Sequence, residues 1–150
     1  MFGHVHHVAY FVDDLERAIA WYQRAAQRGG RVAMNALGLI YADEENPEQL
    51  DYQQAMAWYL RAVDRGSSAA MNNVGELYRN GHGVPQDHAE ALRWYRRAAS
   101  FGSDTAVANM AEMFETGEGV EKDLAEARRL YRLAAEAGHE GSVRWLKENP

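Results

Sequence analysis

Cysteine is absent from the 150 residues, which removes a disulfide scaffold, a thiolate metal site and a cysteine nucleophile together. Lysine is nearly absent as well: Lys122 and Lys147 are the two lysines among 16 basic residues. Surplus positive charge is missing, the net charge being −6. The basic stripe that phosphate-backbone affinity requires is therefore not expected, and nucleic acid is not an expected partner. No run of 18 apolar residues occurs, so membrane insertion is not expected. The opening residues Met1-Phe2-Gly3-His4-Val5-His6-His7 carry neither Lys nor Arg and no apolar run ending in a small-residue cleavage site. The expectation is no secretory signal and a cytoplasmic location. The metal-binding His-Glu-x-x-His, the phosphate loop and the Gly-x-Ser-x-Gly elbow are also missing. Ser67, Ser68, Ser100, Ser103 and Ser142 stand mostly at helix junctions, where capping explains them. No catalytic residue, metal ligand set or cofactor is expected.

What is present is periodic. Hydrophobic residues at 47% and charged residues at 25% suit one soluble domain. Trp21-Tyr22, Trp58-Tyr59, Trp94-Tyr95 and Leu130-Tyr131 recur at steps of 37, 36 and 36 residues. Ala18, Ala55, Ala91 and Ala127 precede them by three residues, and Ala25, Ala62, Ala98 and Ala134 follow by four. Asp14, Asp51, Asp87 and Asp123 lie seven before, and Gly29, Gly66, Gly102 and Gly138 eight after. Aspartate accepts a bond from an orphaned backbone N–H and suits the positive end of the helix dipole, so each reads as an N-cap. Gln54, Glu90 and Glu126 stand three residues on, as in a capping box, although Arg17 breaks the pattern in the first copy. Each glycine fits the left-handed residue that ends a helix. The alanine, Trp-Tyr and alanine positions fall at i, i+3, i+4 and i+7, one face of a helix, here termed helix B. The Trp-Tyr pairs read as core that zips successive repeats together.

After each glycine the pattern starts a second helix, A. Its register is Ala33, Ala70, Ala106; Leu37, Val74, Met110; Gly38, Gly75, Ala111; Tyr41, Tyr78, Phe114. A mid-helix glycine costs about 1 kcal/mol against alanine, so its recurrence implies close approach of a neighbouring helix backbone. The A-to-B connections Gly81-His82-Gly83-Val84 and Gly117-Glu118-Gly119-Val120 each precede an aspartate cap, with the valine expected to plug the turn. The first connection, Ala42 to Leu50, lacks that motif, carries the run Asp43-Glu44-Glu45-Asn46-Pro47-Glu48, and is expected to be more mobile.

These residues resemble the Sel1-like repeat, a branch of the TPR-like α-solenoids. Residues 67–102 match its pattern almost throughout: Ala70, Val74-Gly75, Tyr78, Gly81-His82-Gly83-Val84, Asp87, Ala91, Trp94-Tyr95, Ala98-Ala99 and Gly102. Residues 103–138 depart at Ala111 and Leu130, and residues 30–66 in the turn. The resemblance implies an all-α fold, a right-handed α-α superhelix of about eight antiparallel helices. Its expected divisions are a lead-in over 1–12, a capping helix over 13–29, repeats over 30–66, 67–102 and 103–138, and a closing helix over 139–150. It also implies a monomeric, non-catalytic scaffold or adaptor of bacterial type that binds a peptide or protein on the concave face lined by the A helices.

On that face the positions left free by the core are Asn35, Asn72, Asn73, Glu76, Arg79, Asn109 and Glu112. Asparagine both donates and accepts, which suits gripping a peptide backbone. The B helices carry Arg61, Arg65, Arg93, Arg96, Arg97, Arg128, Arg129 and Arg132, an arginine-rich outer face that neighbouring acids are expected to neutralise in part. Two other readings compete. His6-His7-Val8-Ala9-Tyr10-Phe11-Val12 resembles the opening strand of glyoxalase-like enzymes, in which a residue at the position of His7 would ligate a divalent metal. That fold needs further strands, and helical repeat follows instead, so the apolar segment is expected to be an extended lead-in covering the first B helix. His4, His6 and His7 together could also grip a transition metal. The resemblance further implies toxin-neutralising immunity proteins among its members, and β-lactam binding among cysteine-rich ones, a comparison that the missing cysteines weaken.

Overall fold

The structure is a computed structural model, describing the backbone of residues 3–150 and the side chains of residues 14–150. Among the described residues there are eight helices and no strand. They fall into two compact units, Met1–Arg65 and Gly66–Pro150.

The first unit holds α1 (Gly3–Gln27), α2 (Arg31–Tyr41) and α3 (Tyr52–Asp64), with α2 packed on both neighbours. Helix α1 corrects two expectations. It begins at Gly3, where the sequence suggests an extended lead-in, so Asp14 lies inside a helix and caps nothing. No proline or glycine interrupts residues 4–28, and nothing there stops a helix from running on past a weak β-branched preference. A helix also stands where the glyoxalase-like reading needs its first strand. The His4, His6 and His7 side chains, on which the metal readings rest, lie outside the described residues.

The second unit contains α4 (Ser68–Asn80), α5 (His88–Ser100), α6 (Asp104–Thr116), α7 (Leu124–Glu136) and α8 (Glu140–Glu148), each packed on the next. The caps follow the sequence. Asp51, Asp87 and Asp123 accept backbone N–H bonds at 2.9–3.0 Å from the first turns of α3, α5 and α7. Ser67 and Ser103 do the same for α4 and α6, and His139 Nδ1 for α8. The capping boxes are only half made. Glu90 and Glu126 turn outward to pair with Arg93 and Arg129 rather than back to the cap. The glycines that end helices, such as Gly66 and Gly102, sit at φ 77° and 88°, a region costly for any residue with a Cβ.

One hydrogen bond closes all three A-to-B connections. The cap aspartate N–H donates to the carbonyl of the aromatic residue in the last turn of helix A: Asp51 to Tyr41 at 2.8 Å, Asp87 to Tyr78 at 2.9 Å, Asp123 to Phe114 at 2.9 Å. The first connection reaches it without the glycine motif. Its acidic run folds on itself, Asp43 accepting from Glu45 N–H and from the Asn46 amide. The Tyr52 hydroxyl donates to Glu44 at 2.6 Å, a bond that holds Tyr52 up at about 12.

The core corrects the reading of the Trp-Tyr pairs. Tyrosine is the buried partner: Tyr59 and Tyr95 are 2% and 0% exposed, whereas Trp21 is 64% exposed and Trp58 and Trp94 are only half-buried. The guanidinium of Arg61 covers the Trp58 ring at 4.6 Å, and that of Arg97 covers Trp94 at 5.3 Å, cation–π contacts that sheathe each indole. Each buried tyrosine lies on the mid-helix glycine of its hairpin. A Cβ on Gly38 would stand 2.3 Å from Tyr59 Cε1, and one on Gly75 would stand 2.7 Å from Tyr95 Cε1. The glycine therefore makes room for a ring, with helix backbone a lesser neighbour through the Ala91 carbonyl at 3.3 Å from the Gly75 position. In the third repeat Leu130 replaces tryptophan and is buried with Ala111, Ala127 and Tyr131. Trp145 of α8 stacks on Tyr131 with ring centres 4.2 Å apart.

Candidate functional site

The seven positions assigned to the binding face divide between the units. Asn35 lies half-buried on α2. The other six belong to α4 and α6 of the second unit, where they join into one polar row. Asn72 is 5% exposed; its amide donates to Glu76 at 3.0 Å, and its carbonyl oxygen accepts from the Asn109 amide at 2.9 Å. At its place on α4 Asn72 faces α6, and its burial is matched by these bonds. Asn109 also reaches Glu76, at 3.4 Å. Asn73, one residue along α4, is half-buried.

Arg79, near the end of α4, is held from two sides. Its Nε and Nη2 donate to the Glu118 carboxylate at 2.7 and 3.2 Å, and Nη1 donates to Glu112 at 2.8 Å. The side chain is 16% exposed, against 48% for Glu112 and 32% for Glu118. Two-point contact with Glu118 is the fork geometry in which arginine binds carboxylates most strongly. The same contact holds the Glu118 carboxyl below the usual carboxylate range, overcoming its partial burial. Thr116 donates to Glu118 as well, at 3.2 Å.

Below the row stand two tyrosine hydroxyls. Tyr131 donates to Glu115 at 2.8 Å, and the other Glu115 oxygen accepts from Trp145 Nε1 at 3.1 Å. Tyr95 is fully buried, and its hydroxyl has no hydrogen-bond partner of good geometry. Burial, with the Glu76 charge added and Arg79 opposing, raises it above the ordinary tyrosine range. Glu115, Glu118 and both hydroxyls were not legible as members of this site. The second residue of the Gly117-Glu118-Gly119-Val120 turn was the available signal, because a turn that repeats its glycines frees that position for other work.

On the B helices the arginines divide as charge and packing dictate. Arg93 and Arg129 pair with Glu90 and Glu126, Arg61 and Arg97 lie on indoles, and Arg128 lies 5.8 Å from the Trp145 ring centre. Arg96 and Arg132 are exposed. Among the described residues no group of His, Asp or Glu side chains could hold a metal ion, and no helix is long and apolar enough to cross a membrane.

Antiparallel helix pairs repeating at a fixed step, each keyed by a tyrosine on a small residue and closed by an aspartate cap, define an α-helical repeat protein of the TPR-like kind. The Sel1 repeat profile matches residues 11–30, 31–67, 68–102 and 105–139, and the chain belongs to the Sel1 repeat family, with its all-α superhelical repeat fold. It is similar to a protective antigen with an SLR fold present in uropathogenic Escherichia coli strains: 39% identity over 85% of this chain and 27% of that one, TM-score 0.72. A Sel1 repeat protein from Oxalobacter formigenes shares 31% identity over 87% of this chain and 53% of that one, TM-score 0.78. Cysteine rich protein B of Helicobacter pylori shares the fold at 21% identity, covering 87% of this chain and 92% of that one, TM-score 0.65. The chain thus spans 27% and 53% of the first two relatives' length. No curated protein matches. Sel1 repeats commonly mediate protein–protein interaction, and proteins built on them are generally non-enzymatic.

Proposed function

We propose that this chain is a non-catalytic interaction module that binds a peptide or a protein surface, and that in the second unit the partner lies along helices α4 and α6. The observation that carries this reading is the polar row itself. Asn72, Asn109 and Glu76 are bonded to one another, and Arg79 is bonded to Glu112 and Glu118, so the row is ordered before any partner arrives. A surface already held in place loses less side-chain freedom on binding, which favours affinity. Asn73, Glu76, Asn109 and Glu112 form its accessible edge, and they replace the broader set in which Asn72 and Arg79 were to touch the partner.

The test is selection of binders from a random peptide display library against the whole protein, followed by retesting on variants. Asn73→Arg with Glu112→Arg is expected to abolish binding, and Arg96→Glu on α5 to leave it intact. Binders that keep their affinity for the α4/α6 variant at unchanged helicity would place the interaction elsewhere.

A further inference from the structure

Helix α1 carries the B-helix register, Ala18, Tyr22 and Ala25, but among the described residues no A helix precedes it. In α3 the matching Ala55, Tyr59 and Ala62 are 0%, 2% and 0% exposed, and α5 and α7 repeat that burial. In α1 the same three residues are only half-buried, and Trp21 is 64% exposed. Helix α2 packs on α1 along the side of Ala26, which is 4% exposed. Successive helical residues turn by about 100°, which carries Ala18, Trp21 and Ala25 round toward the other side. The Tyr22 ring meets its own neighbour Trp21 edge-on, with ring centres 5.2 Å apart at 72°. What covers this register is written three times in the chain. Tyr59 and Tyr95 lie on Gly38 and Gly75 of the preceding A helix, and Ala111 holds that position in the cluster of Tyr131. A larger residue there would run into the ring, so each covering helix is small at that point.

We propose that the open side of α1 docks an amphipathic helix of a partner protein, one that bears glycine or alanine over Tyr22. The interface is the chain's own A-on-B packing, continued by one further helix. A second copy of the chain supplies no such helix. Its α2, α4 and α6 are already closed on α3, α5 and α7, and α8 carries Lys147 at the register of Gly75 and Ala111. Apolar surface at Trp21, Tyr22 and the two alanines supplies the affinity, and the need for a small residue supplies the selectivity. The surface belongs to the first unit and does not depend on the α4/α6 reading.

The experiment uses the full chain and a fluorescent peptide of residues 67–81, the α4 sequence, held helical by a hydrocarbon cross-link. The link joins the positions of Glu76 and Asn80, both exposed in α4. Anisotropy is expected to show binding, and the same peptide with Gly75→Leu should bind about 10-fold more weakly or worse. In the protein, Tyr22→Ala should weaken binding of the unaltered peptide about 10-fold or more at unchanged helicity. Trp21→Ala, at a residue too exposed to threaten the fold, should weaken it about 3-fold or more. Asn73→Arg with Glu112→Arg, in the second unit, should change it less than about 2-fold. Binding that ignores Tyr22 and Trp21, or that accepts the leucine peptide equally, overturns the proposal, as does no binding at all. A dimer in sedimentation equilibrium that Trp21→Ala disperses would give the face to a second copy and overturn it too.

Discussion

In the hairpin of α4 and α5 the position beneath the tyrosine is Gly75, and Tyr95 sinks until none of it is exposed and its hydroxyl is stranded. In the hairpin of α6 and α7 the same position is Ala111; Tyr131 stays 7% exposed, bonds to Glu115 and stacks on Trp145. Register, cap and clasp are shared, while the hairpins differ by a methyl group beneath the ring, by Leu130 in place of Trp94 and by the Trp145 stack. Gly75 leaves room for the Tyr95 ring that a Cβ would fill, so the small residue beneath each ring bears on how deep that ring lies.

That comparison can be broken most forcefully at Gly75. Alanine there gains about 1 kcal/mol of helix propensity, yet its Cβ would stand 2.7 Å from Tyr95 Cε1. The expected outcome is a net loss of about 1–3 kcal/mol in urea unfolding, since overpacked cores shift at that cost. A neutral or stabilising result would show that the glycine does not set the ring's depth.

The hydroxyls should then separate the hairpins. Tyr131→Phe removes a bond to a carboxylate and is expected to cost about 1–2 kcal/mol, while Tyr95→Phe deletes an unsatisfied group and should be neutral or slightly stabilising. Equal effects in chemical denaturation would mean that the two hydroxyls are alike after all. Asp87→Ala and Asp123→Ala probe what the hairpins share, and each is expected to cost about 1 kcal/mol, with matching shifts in the urea midpoint.

The smallest effect is with pH. Both tyrosines are raised above their ordinary value, chiefly by burial, so the folded chain keeps protons that the unfolded chain releases. Their contribution is complete below about pH 10 and declines as pH rises beyond it. Urea midpoints should drop between about pH 10 and about pH 12, and less so in the doubly substituted Tyr95→Phe, Tyr131→Phe protein. Glu118 behaves oppositely: its carboxyl is lowered by Arg79, so its contribution holds above the ordinary glutamate value and is lost as pH falls through the folded one.

Much of the fold was legible because its signals are local. Aspartate caps, glycine stops and alanine spacing act within one helix or across one turn, and Asp51, Asp87, Asp123 and Gly102 stand in those roles. What was not legible depends on neighbours. Which aromatic of a Trp-Tyr pair is buried follows from the rotation of helix B against Gly38 or Gly75, and adjacent residues differ by about 100° around a helix. Asn72 looked free because α4 alone leaves it so; α6 covers it. Glu118 reached Arg79 across 39 positions of sequence, a distance that no local pattern reports. The start of α1 was missed for a different reason, since the apolar segment before Asp13 suits either strand or helix by composition.

The bond from the cap aspartate to the aromatic carbonyl divides labour within each repeat. It fastens the neck of the connection, so whatever lies above the neck is free to vary in length and chemistry. Nine residues with internal acidic turns and eight with glycines and a valine end at the same fastening. A tag, a dye-bearing cysteine or a second binding loop spliced between Glu44 and Glu48 would then travel on the scaffold as cargo, leaving the helix pair below it undisturbed.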